Sequence, residues 1–544
     1  MTTYRKTAVA AGVAAAMALA PATAALAAPG GNGNNNTVRK LTAAVTAEGV
    51  LEHERALQAI SDANGGTRVS GSEGYDQSAD YAAKVFADAG YEVTRQELTF
   101  NTFRETAPTV FRQLSPAPAR DLEARIMSYS GSGNTPAAAA SLPTDEQDGC
   151  DTDDFGPANT GTIVLVSRGA CSFASKATNA AAAGAAGVVI YNNGDGPLNG
   201  TLSEGFTGNF SVIGVTKALG LELVALVPQG LQLQLSTSVF RGEATTENVI
   251  AQTRGGNADN VVMLGGHLDS VNAGPGINDN GSGAGSVLEV AQQMAKTKTT
   301  NAVRFAVWGA EESGLVGSRY YVSQLSEQEL DKIALYLNFD MVASPNFVRF
   351  VYDGDDSVGD GNVGPEGSAA IEQAFTSFFA GQGLASDPTD FSGRSDYGPF
   401  IAAGVPSGGL FTGAEGVKTA DQAAIYGGVA GASYDPCYHQ ACDSLDQDFS
   451  GDAAKGALYG TLAAEYPLVG NINMLAQEQM SDAIAAVTLT YAYDTSSVNG
   501  VAGKPGKSKG LTKSGGSGTG GTSGTSDGSG GGLHEEHDHE LDAA

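Results

Sequence analysis

The sequence predicts an α/β fold built on a doubly wound, mainly parallel mixed sheet, together with a smaller β-rich domain. From Asn248 onward, runs of apolar residues alternate with segments of helical periodicity. Such alternation is typical of a parallel sheet covered by helices on both faces. Between residues 105 and 241 the composition differs, because a stretch of small and polar residues precedes a separate strand–helix–strand pattern. These two observations predict two regions with their own cores.

The first residues have the pattern of a secretory signal peptide. A short basic start precedes an apolar run over residues 9–20, and Ala25-Leu26-Ala27 has the small-x-small form of a cleavage site. We therefore predict a signal peptide over 1–28, cleaved near Ala27/Ala28, and a linker over 29–40. A membrane-spanning helix needs about 20 apolar residues, and no run in the sequence reaches that length. We expect a secreted, extracellular protein without a membrane span.

The other end of the chain, residues 498–544, is predicted to be disordered. It consists mainly of Gly, Ser, Thr and Lys and closes on a tract of His and acidic residues. Such a composition cannot bury enough apolar surface to offset the loss of chain entropy on folding. The G-x-S-x-G motif of serine hydrolases occurs only here, at residues 524–528, with no strand before it. We therefore reject a serine hydrolase.

Residues 41–104 predict two helices and a strand. Leu51, Leu57 and Ile60 share a helical face, residues 81–89 have an amphipathic pattern, and residues 91–94 alternate as a strand does.

Residues 105–241 predict a strand over 162–166, a helix over 174–186 and a strand over 188–191. Cys150 and Cys171 bracket the first strand. In an exported protein we expect them to form a disulfide, and closing a loop of about 20 residues stabilises the fold by roughly 3 kcal/mol. The region contains no histidine, so we expect the chemistry to lie elsewhere.

Residues 242–497 predict three internal strands, over 261–264, 302–307 and 334–337, with a helix between the first two. Ligand sites in such sheets lie at the carboxyl ends of the strands. Polar residues lie just past the ends of these strands and in the glycine-rich loop that leads into the helix. The first strand is followed by His267 and Asp269, the loop contains Asp279, the second strand is followed by Glu311 and Glu312, and the third is followed by Asp340. Carboxylates clustered there would repel one another, and bound cations are the obvious remedy.

The overall charge and the few histidines narrow the function further. Acidic residues number 60 against 30 basic ones, for a net charge of −30, which excludes a nucleic-acid partner. Outside the tail only His53, His267 and His439 occur, and His439 lies between Cys437 and Cys442, a short cysteine loop that would fix its direction. Mixed His and carboxylate ligands suit zinc. Because a single catalytic zinc takes only three protein ligands, the set predicts a two-metal site.

These residues resemble a known family. His267-Leu268-Asp269, Asp279, Glu311-Glu312, Asp340 and Tyr438-His439 are similar to the motifs of the co-catalytic zinc aminopeptidases of peptidase family M28, above all the secreted bacterial leucine-preferring type. The stretch around Cys171 resembles a protease-associated (PA) domain. The resemblance implies a zinc exopeptidase fold formed by residues 41–104 and 242–497, with the PA domain inserted as residues 105–241.

The resemblance also implies a role for each residue. His267 and Asp340 would hold one Zn²⁺, Glu312 and His439 would hold a second, and Asp279 would bridge them. Glu311 would be the general base and Tyr438 would stabilise the oxyanion. Asp269 would orient the ring of His267, and Arg394 would contact substrate.

The function implied is removal of the N-terminal residue from peptides and proteins with a free N-terminus, with a preference for hydrophobic residues such as Leu. We expect a monomer with two Zn²⁺ per chain. Two alternatives remain open. One is a carboxypeptidase or dipeptidase with the same metal chemistry, and the other is a non-catalytic PA-bearing binding protein. The PA domain itself could serve as a lid or as a docking surface.

Overall fold

The computed structural model describes residues 34–502, apart from 145–147, 195, 197, 199, 204 and 360. The signal peptide predicted over 1–28, the start of the linker and nearly all of the tail predicted from residue 498 lie outside the described residues.

The helices of the described residues are numbered in chain order. They are α1 (Val38–Thr42), α2 (Ala47–Ala63), α3 (Glu73–Asp88), α4 (Phe173–Ala182), α5 (Lys217–Leu226), α6 (Gly283–Met294), α7 (Val316–Ser323), α8 (Glu327–Leu330), α9 (Ser368–Gly381), α10 (Tyr397–Ala402), α11 (Ala420–Tyr426), α12 (Ala453–Glu465), α13 (Met474–Tyr493) and α14 (Ser496–Asn499). In the part of the chain that is described, no helix combines the length and apolarity needed to cross a bilayer.

The strands are numbered in the same way. They are β1 (Glu92–Ser115), β2 (Arg120–Asp121), β3 (Arg125–Ile126), β4 (Gly133–Ser141), β5 (Ile163–Ser167), β6 (Gly187–Tyr191), β7 (Ser211–Val215), β8 (Gln232–Gln252), β9 (Asn257–His267), β10 (Asn301–Trp308), β11 (Ile333–Phe339), β12 (Phe350–Tyr352), β13 (Asp387–Thr389), β14 (Ser407–Phe411), β15 (Leu468–Val469) and β16 (Ile472–Asn473).

We call residues 34–104 and 242–502 the main unit and residues 105–241 the inserted unit. In the main unit the strand order is β13-β12-β14-β11-β9-β10-β8, and β9 pairs in parallel with both β10 and β11. In the inserted unit β4, β5, β6 and β7 are parallel neighbours, and β3 closes the edge in the antiparallel sense. The result is a mixed, mainly parallel sheet with helices.

A long antiparallel ribbon of β1 and β8 joins the two units. Its pairing runs from Glu92 opposite Gln252 to Ser115 opposite Gln232. One end of β8 also pairs with β10 in the main unit, and its other end pairs with β4 in the inserted unit. Because Arg104 lies opposite Phe240, the chain enters and leaves the inserted unit through neighbouring strands. The sequence pattern did not predict the length of β8.

Both faces of the main sheet are buried. Val262 and Leu264 of β9 point into a core that includes α2, α3, α6 and α13, whereas Met263 points into a second core with Trp308 and Tyr336. Side chains alternate between the faces of a strand, so an unbroken apolar run is what a sheet covered on both sides requires. This burial holds the ends of β9, β10 and β11 in fixed positions.

The predicted helices are present, with some differences in their limits. The helix predicted over 81–89 begins earlier, at Glu73, because Ser72 caps it by accepting a hydrogen bond from the backbone N–H of Tyr75. Helix α1 begins at Val38, inside the segment predicted as a linker over 29–40, because Leu41 is buried against the core. The four cysteines form the pairs Cys150–Cys171 and Cys437–Cys442.

Candidate metal centre

The strand ends of the main unit bring the predicted metal ligands to one place. His267 is the last residue of β9, Glu311 follows the end of β10, and Asp340 directly follows β11. The backbone leaves these strands in sharp turns, since Ala310 and Met341 have φ of 55° and 49°. Left-handed backbone at residues other than glycine is uncommon and clusters at functional sites.

Asp279 lies in the turn Ile277–Ser282 ahead of α6, where its own backbone is not helical (φ −107°, ψ 91°). The backbone N–H groups of Asn278 and Asp279 donate to the carboxylate of Asp443, at 2.7 and 3.0 Å. The Asn280 amide donates to the carbonyl of Phe339 at 2.9 Å and accepts from the N–H of Met341 at 3.1 Å. These bonds fix the Asp279 turn against the end of β11.

His439 comes from the loop closed by Cys437–Cys442. Its backbone φ is 54°, and the ring of Tyr438 stacks on its imidazole with centroids 3.9 Å apart. Asp435 and Asp443 flank the loop, and the amide of Asn471 donates to both carboxylates. The disulfide and this buried network hold the His439 loop next to the Asp279 turn.

The two carboxylate oxygens of Asp279 face two different histidines. Its Oδ1 lies 3.2 Å from His267 Nε2, and its Oδ2 lies 3.2 Å from His439 Nε2. Asp340 Oδ1 lies 3.4 Å from His267 Nε2, and Glu312 Oε2 lies 3.1 Å from His439 Nε2. Asp279 therefore belongs to two compact groups of possible ligands, one with His267 and Asp340 and the other with Glu312 and His439.

The electrostatics of this group favour a bound cation. Burial raises the pKa of Glu311 and Glu312, and neighbouring carboxylates add to the rise. Burial opposes charge on His267, yet the carboxylates of Asp340 and Glu311 raise its pKa well above the usual value. Glu312 Oε1 and Asp340 Oδ1 are buried and have no hydrogen-bond partner within the described residues. Unpaired buried carboxylate oxygens are costly, and a metal ion bound to nitrogen and carboxylate ligands removes that cost.

Of the other predicted site residues, Asp269 contacts this group directly, and Arg394 contacts Tyr438 beside it. Asp269 Oδ1 accepts from the backbone N–H of Glu311 at 3.1 Å. The ring Nδ1 of His267 lies 3.2 Å from the Asp269 carbonyl and 3.6 Å from its carboxylate. Arg394 donates to Glu415 at 2.8 Å and to the hydroxyl of Tyr438 at 3.2 Å.

A cavity of about 330 Å³ opens over the centre. It is lined by the histidines and carboxylates described above, which we call the metal centre as a candidate site: His267, Asp279, Glu311, Glu312, Asp340 and His439. Its wall is mainly apolar and aromatic and includes Met341, Phe350, Tyr352, Phe411 and Tyr434.

Two protein families match the chain. Peptidase family M28 matches residues 248–459, and the PA domain matches residues 135–223. The first range contains every residue of the metal centre, and the second lies inside the inserted unit. An aminopeptidase of Pseudomonas aeruginosa is 41% identical over 498 residues, which cover 87% of this chain and 86% of that protein. The chain belongs to peptidase family M28.

Further relatives agree with this membership. A probable leucine aminopeptidase 2 of Trichophyton verrucosum is 43% identical over 408 residues, covering 74% of this M28 peptidase and 79% of the relative. An aminopeptidase from Aneurinibacillus sp. strain AM-1 has a TM-score of 0.60 at 25% identity, covering 83% and 95% of the two chains. BSAP, a zinc aminopeptidase from Bacillus subtilis, has a TM-score of 0.58 at 24% identity, covering 82% and 95%, and that likeness concerns the fold alone.

Three predictions are confirmed by these relatives: the family with its PA domain, the α/β fold class, and the enzyme class, an aminopeptidase of family M28.

The sequence pattern missed one residue of this M28 peptidase that supports the centre. Arg68 is completely buried, and its guanidinium donates to the carbonyls of Leu268, Pro275 and Gly276. Burial lowers its pKa to about 10, against the pull of the carboxylates of Asp269, Asp443 and Asp279. Arg68 thus fixes the segment between His267 and Asp279 while adding positive charge beneath the acidic centre.

Proposed function

We propose that this M28 peptidase is a secreted two-zinc aminopeptidase that removes hydrophobic N-terminal residues such as Leu. The observation that carries the proposal is the position of Asp279, whose two oxygens face His267 and His439 at equal distances. A carboxylate in that position suits a bridge between two metal ions.

The donor set fits zinc in each half of the centre. His267 and Asp340 would hold one Zn²⁺, Glu312 and His439 would hold the other, and Asp279 would serve both. Bound zinc supplies Lewis acidity, which polarises a carbonyl group and lowers the pKa of a water molecule. Asp269 would keep the ring of His267 oriented, since ligating histidines commonly donate their second nitrogen to a carboxylate or carbonyl.

Glu311 is the proposed general base. Its carboxylate lines the cavity, with Oε2 at 3.9 Å from His267 Nε2, and its backbone is tied to Asp269. It is adjacent in sequence to Glu312 but is not needed as a ligand in either half of the centre. Its carboxylate would accept a proton from the attacking water and pass it to the departing amine, which is general acid–base catalysis.

Tyr438 is the proposed oxyanion donor. Its ring is held by stacking on His439, and its oxygen accepts a hydrogen bond from Arg394 Nη2. The hydroxyl keeps its own hydrogen free to donate to the negative charge that develops on the scissile carbonyl oxygen. Arg394 would act here through Tyr438, and as an exposed residue of the cavity lining it would also contact substrate.

Restriction to the N-terminus follows from the charge of the cavity. Glu311 and Asp340 form an acidic wall that suits the free amine of a substrate. Arg394 is the one arginine or lysine that lines the described cavity, and it is already paired with Glu415. A carboxypeptidase would need a free cation to bind the terminal carboxylate, so the charge pattern favours an aminopeptidase.

The hydrophobic preference rests on the wall of the cavity. Phe350 stacks with Phe411 and meets Tyr434 edge-on, with centroids 6.0 and 5.3 Å apart. Together with Met341 they offer an apolar surface for the first side chain of a substrate, worth about 0.8 kcal/mol for each methylene buried. A non-catalytic binding role is disfavoured because every proposed ligand and the base are retained.

Secretion is supported by the signal-peptide pattern over 1–28, which lies outside the described residues, and by the disulfides Cys150–Cys171 and Cys437–Cys442. We propose that the secreted protein is a monomer.

The test compares a free peptide with its blocked form. The zinc-loaded protein should hydrolyse Leu-Gly-Gly and release free leucine, and a chelator should abolish the activity until zinc is returned. N-acetyl-Leu-Gly-Gly should remain intact, because acetylation removes the amine that the acidic wall binds. Cleavage of the blocked peptide at a comparable rate would contradict an aminopeptidase.

A further inference from the structure

The cavity over the metal centre contains one acidic side chain that the proposed chemistry does not use. Glu311, Glu312, Asp279 and Asp340 belong to the centre, and Glu415 is paired with Arg394. Asp390 also lines the cavity, and its carboxylate has no hydrogen-bond or ion-pair partner within the described part of the chain. A half-buried, unpaired negative charge in a substrate cavity attracts a cation from the substrate.

Asp390 comes from a different strand end than the proposed metal ligands, because β12 and β14 lie between β13 and β11 in the sheet. It directly follows β13, whose Thr389 pairs with Tyr352 of β12 at the edge of the sheet. Burial raises the pKa of Tyr352, and the carboxylates of Asp340 and Asp390 both add to the rise. Tyr352 therefore lies within electrostatic reach of both Asp340 and Asp390.

The cavity wall that includes Tyr352 suits a long side chain that is apolar along its stem and charged at its tip. Phe350, Tyr352 and Phe411 provide the apolar surface, and Asp390 provides the charge at the end. Lysine and arginine bury their methylene stems along apolar surfaces while their charged heads reach a polar group. Leucine would use the same apolar wall without reaching Asp390.

We propose that Asp390 is a specificity-determining residue that binds the ammonium or guanidinium group of an N-terminal lysine or arginine. The substrate class is thereby widened from hydrophobic to basic N-terminal residues. This inference rests on the proposed aminopeptidase function and adds to it a second class of first residue.

The test measures a ratio, kcat/KM for Lys-p-nitroanilide divided by kcat/KM for Leu-p-nitroanilide, on the full zinc-loaded chain. In Asp390→Asn this ratio should fall about 10-fold, which corresponds to about 1.4 kcal/mol. The ratio does not depend on the fraction of active enzyme, so partial misfolding of the variant does not affect it. Asp421→Asn removes the same charge from the exposed first turn of α11 and should leave the ratio at the wild-type value.

Ionic strength provides an independent measurement. Raising the salt concentration should lower the Lys/Leu ratio of the wild type, because screening weakens a solvent-accessible ion pair. It should have no such effect on Asp390→Asn. An unchanged ratio in Asp390→Asn, or a wild type that cleaves Leu-p-nitroanilide but not Lys-p-nitroanilide, would overturn the inference and leave the aminopeptidase function intact. Failure of the zinc-loaded wild type on both substrates would overturn the proposed function itself.

Discussion

The main and inserted units use the same kind of parallel strand but differ in the role of the residues directly after it. β6 and β7 in the inserted unit are buried along their whole length, as is β11 in the main unit. After β7, Thr216 caps helix α5 by accepting from the N–H of Leu219. After β11, Asp340 lies next to His267 and Asp279 in a group that could hold a metal ion. Equally buried strands are therefore followed by a helix cap in one unit and by a proposed metal ligand in the other.

The two units also differ in how completely their buried polar atoms are satisfied. Within the described residues of the inserted unit, every buried side-chain nitrogen and oxygen has a hydrogen-bond partner. The described residues of the main unit leave ten such atoms without one, and Glu312 Oε1 and Asp340 Oδ1 are two of them. The polar groups of the inserted unit are thus satisfied within the fold, whereas the main unit keeps unpaired oxygens, including two on proposed metal ligands. Substitutions in each unit test this difference, and we expect the largest effect at the proposed base.

Replacing the proposed base separates chemistry from metal binding. Glu311→Gln should lower kcat by at least roughly 10²-fold, because the amide cannot accept the proton of water. Zinc content should stay near that of the wild type, since Glu311 is not a proposed ligand. Steady-state kinetics and metal analysis of the same sample measure both effects. Glu327→Gln, an exposed residue of α8, is the matched control, and near-wild-type turnover of Glu311→Gln would refute its role.

Removing the buried guanidinium of Arg68 should lower both the stability of the main unit and its affinity for zinc. Arg68→Gln leaves the carbonyls of Leu268, Pro275 and Gly276 short of donors, which should cost about 3 kcal/mol of unfolding free energy. Zinc affinity should fall by at least about 10-fold, because residues that orient ligands typically contribute that much. Denaturant unfolding and competition with a chelator measure the two quantities.

Arg55→Gln, at an exposed arginine of α2, is the control for loss of charge. If Arg68→Gln lost stability but bound zinc with wild-type affinity, Arg68 would support the fold and not the metal centre.

The two disulfides should differ in the property they affect. Replacing Cys150 and Cys171 by serine should lower the unfolding free energy by roughly 3 kcal/mol and leave kcat unchanged. Replacing Cys437 and Cys442 should cost less stability, roughly 2 kcal/mol, because the loop is shorter. It should nevertheless lower kcat, since that loop carries His439 and Tyr438. Equal effects of both pairs on kcat would contradict the separation of the two units.

The smallest effect is a pH dependence of stability away from the centre. Burial raises the pKa of Asp482 on α13 from 3.8 to about 7, with Glu478 adding to the rise. The native state therefore keeps a proton that the unfolded state loses, and this contribution to stability disappears as the pH rises from about 4 to 7. Asp482→Asn removes that loss. The unfolding free energy of the variant minus that of the wild type should therefore increase by about 1 kcal/mol as the pH rises from about 4 to 7. The increase is this small because Asp482 is only partly buried, and solvent weakens the effect of burial on its pKa.

Thermal or denaturant unfolding at pH 4.5 and 8 checks this prediction, with Asp331→Asn, an exposed residue after α8, as control. A difference that stayed constant with pH would show that Asp482 titrates alike in the folded and unfolded states.

The sequence predicted the elements whose patterns are local. Runs of apolar residues predicted β9, β10 and β11, and the position of polar residues after them led to His267, Glu311 and Asp340. His439 stood out because histidines are scarce and the cysteine loop is short. The assignment of roles to these residues remains a prediction that the geometry supports.

The features that the sequence did not predict depend on long-range contacts. Arg68 looks like an ordinary residue in a turn, and its acceptors lie 200 to 208 residues later. The length of β8 is set by partners in both units, and no local pattern marks a strand that pairs with β10 at one end and β4 at the other. Asp390 follows a strand of only three residues that contains Pro388, too short for periodicity to detect.

The metal content of the purified protein tests the central claim most directly. Mass-spectrometric metal analysis after dialysis should give two zinc ions per chain for the wild type. It should give one or fewer for Asp279→Asn, because the amide cannot bridge two cations as a carboxylate does. A wild type that saturates at one zinc ion, or an Asp279→Asn variant that retains two, would contradict a two-zinc centre bridged by Asp279.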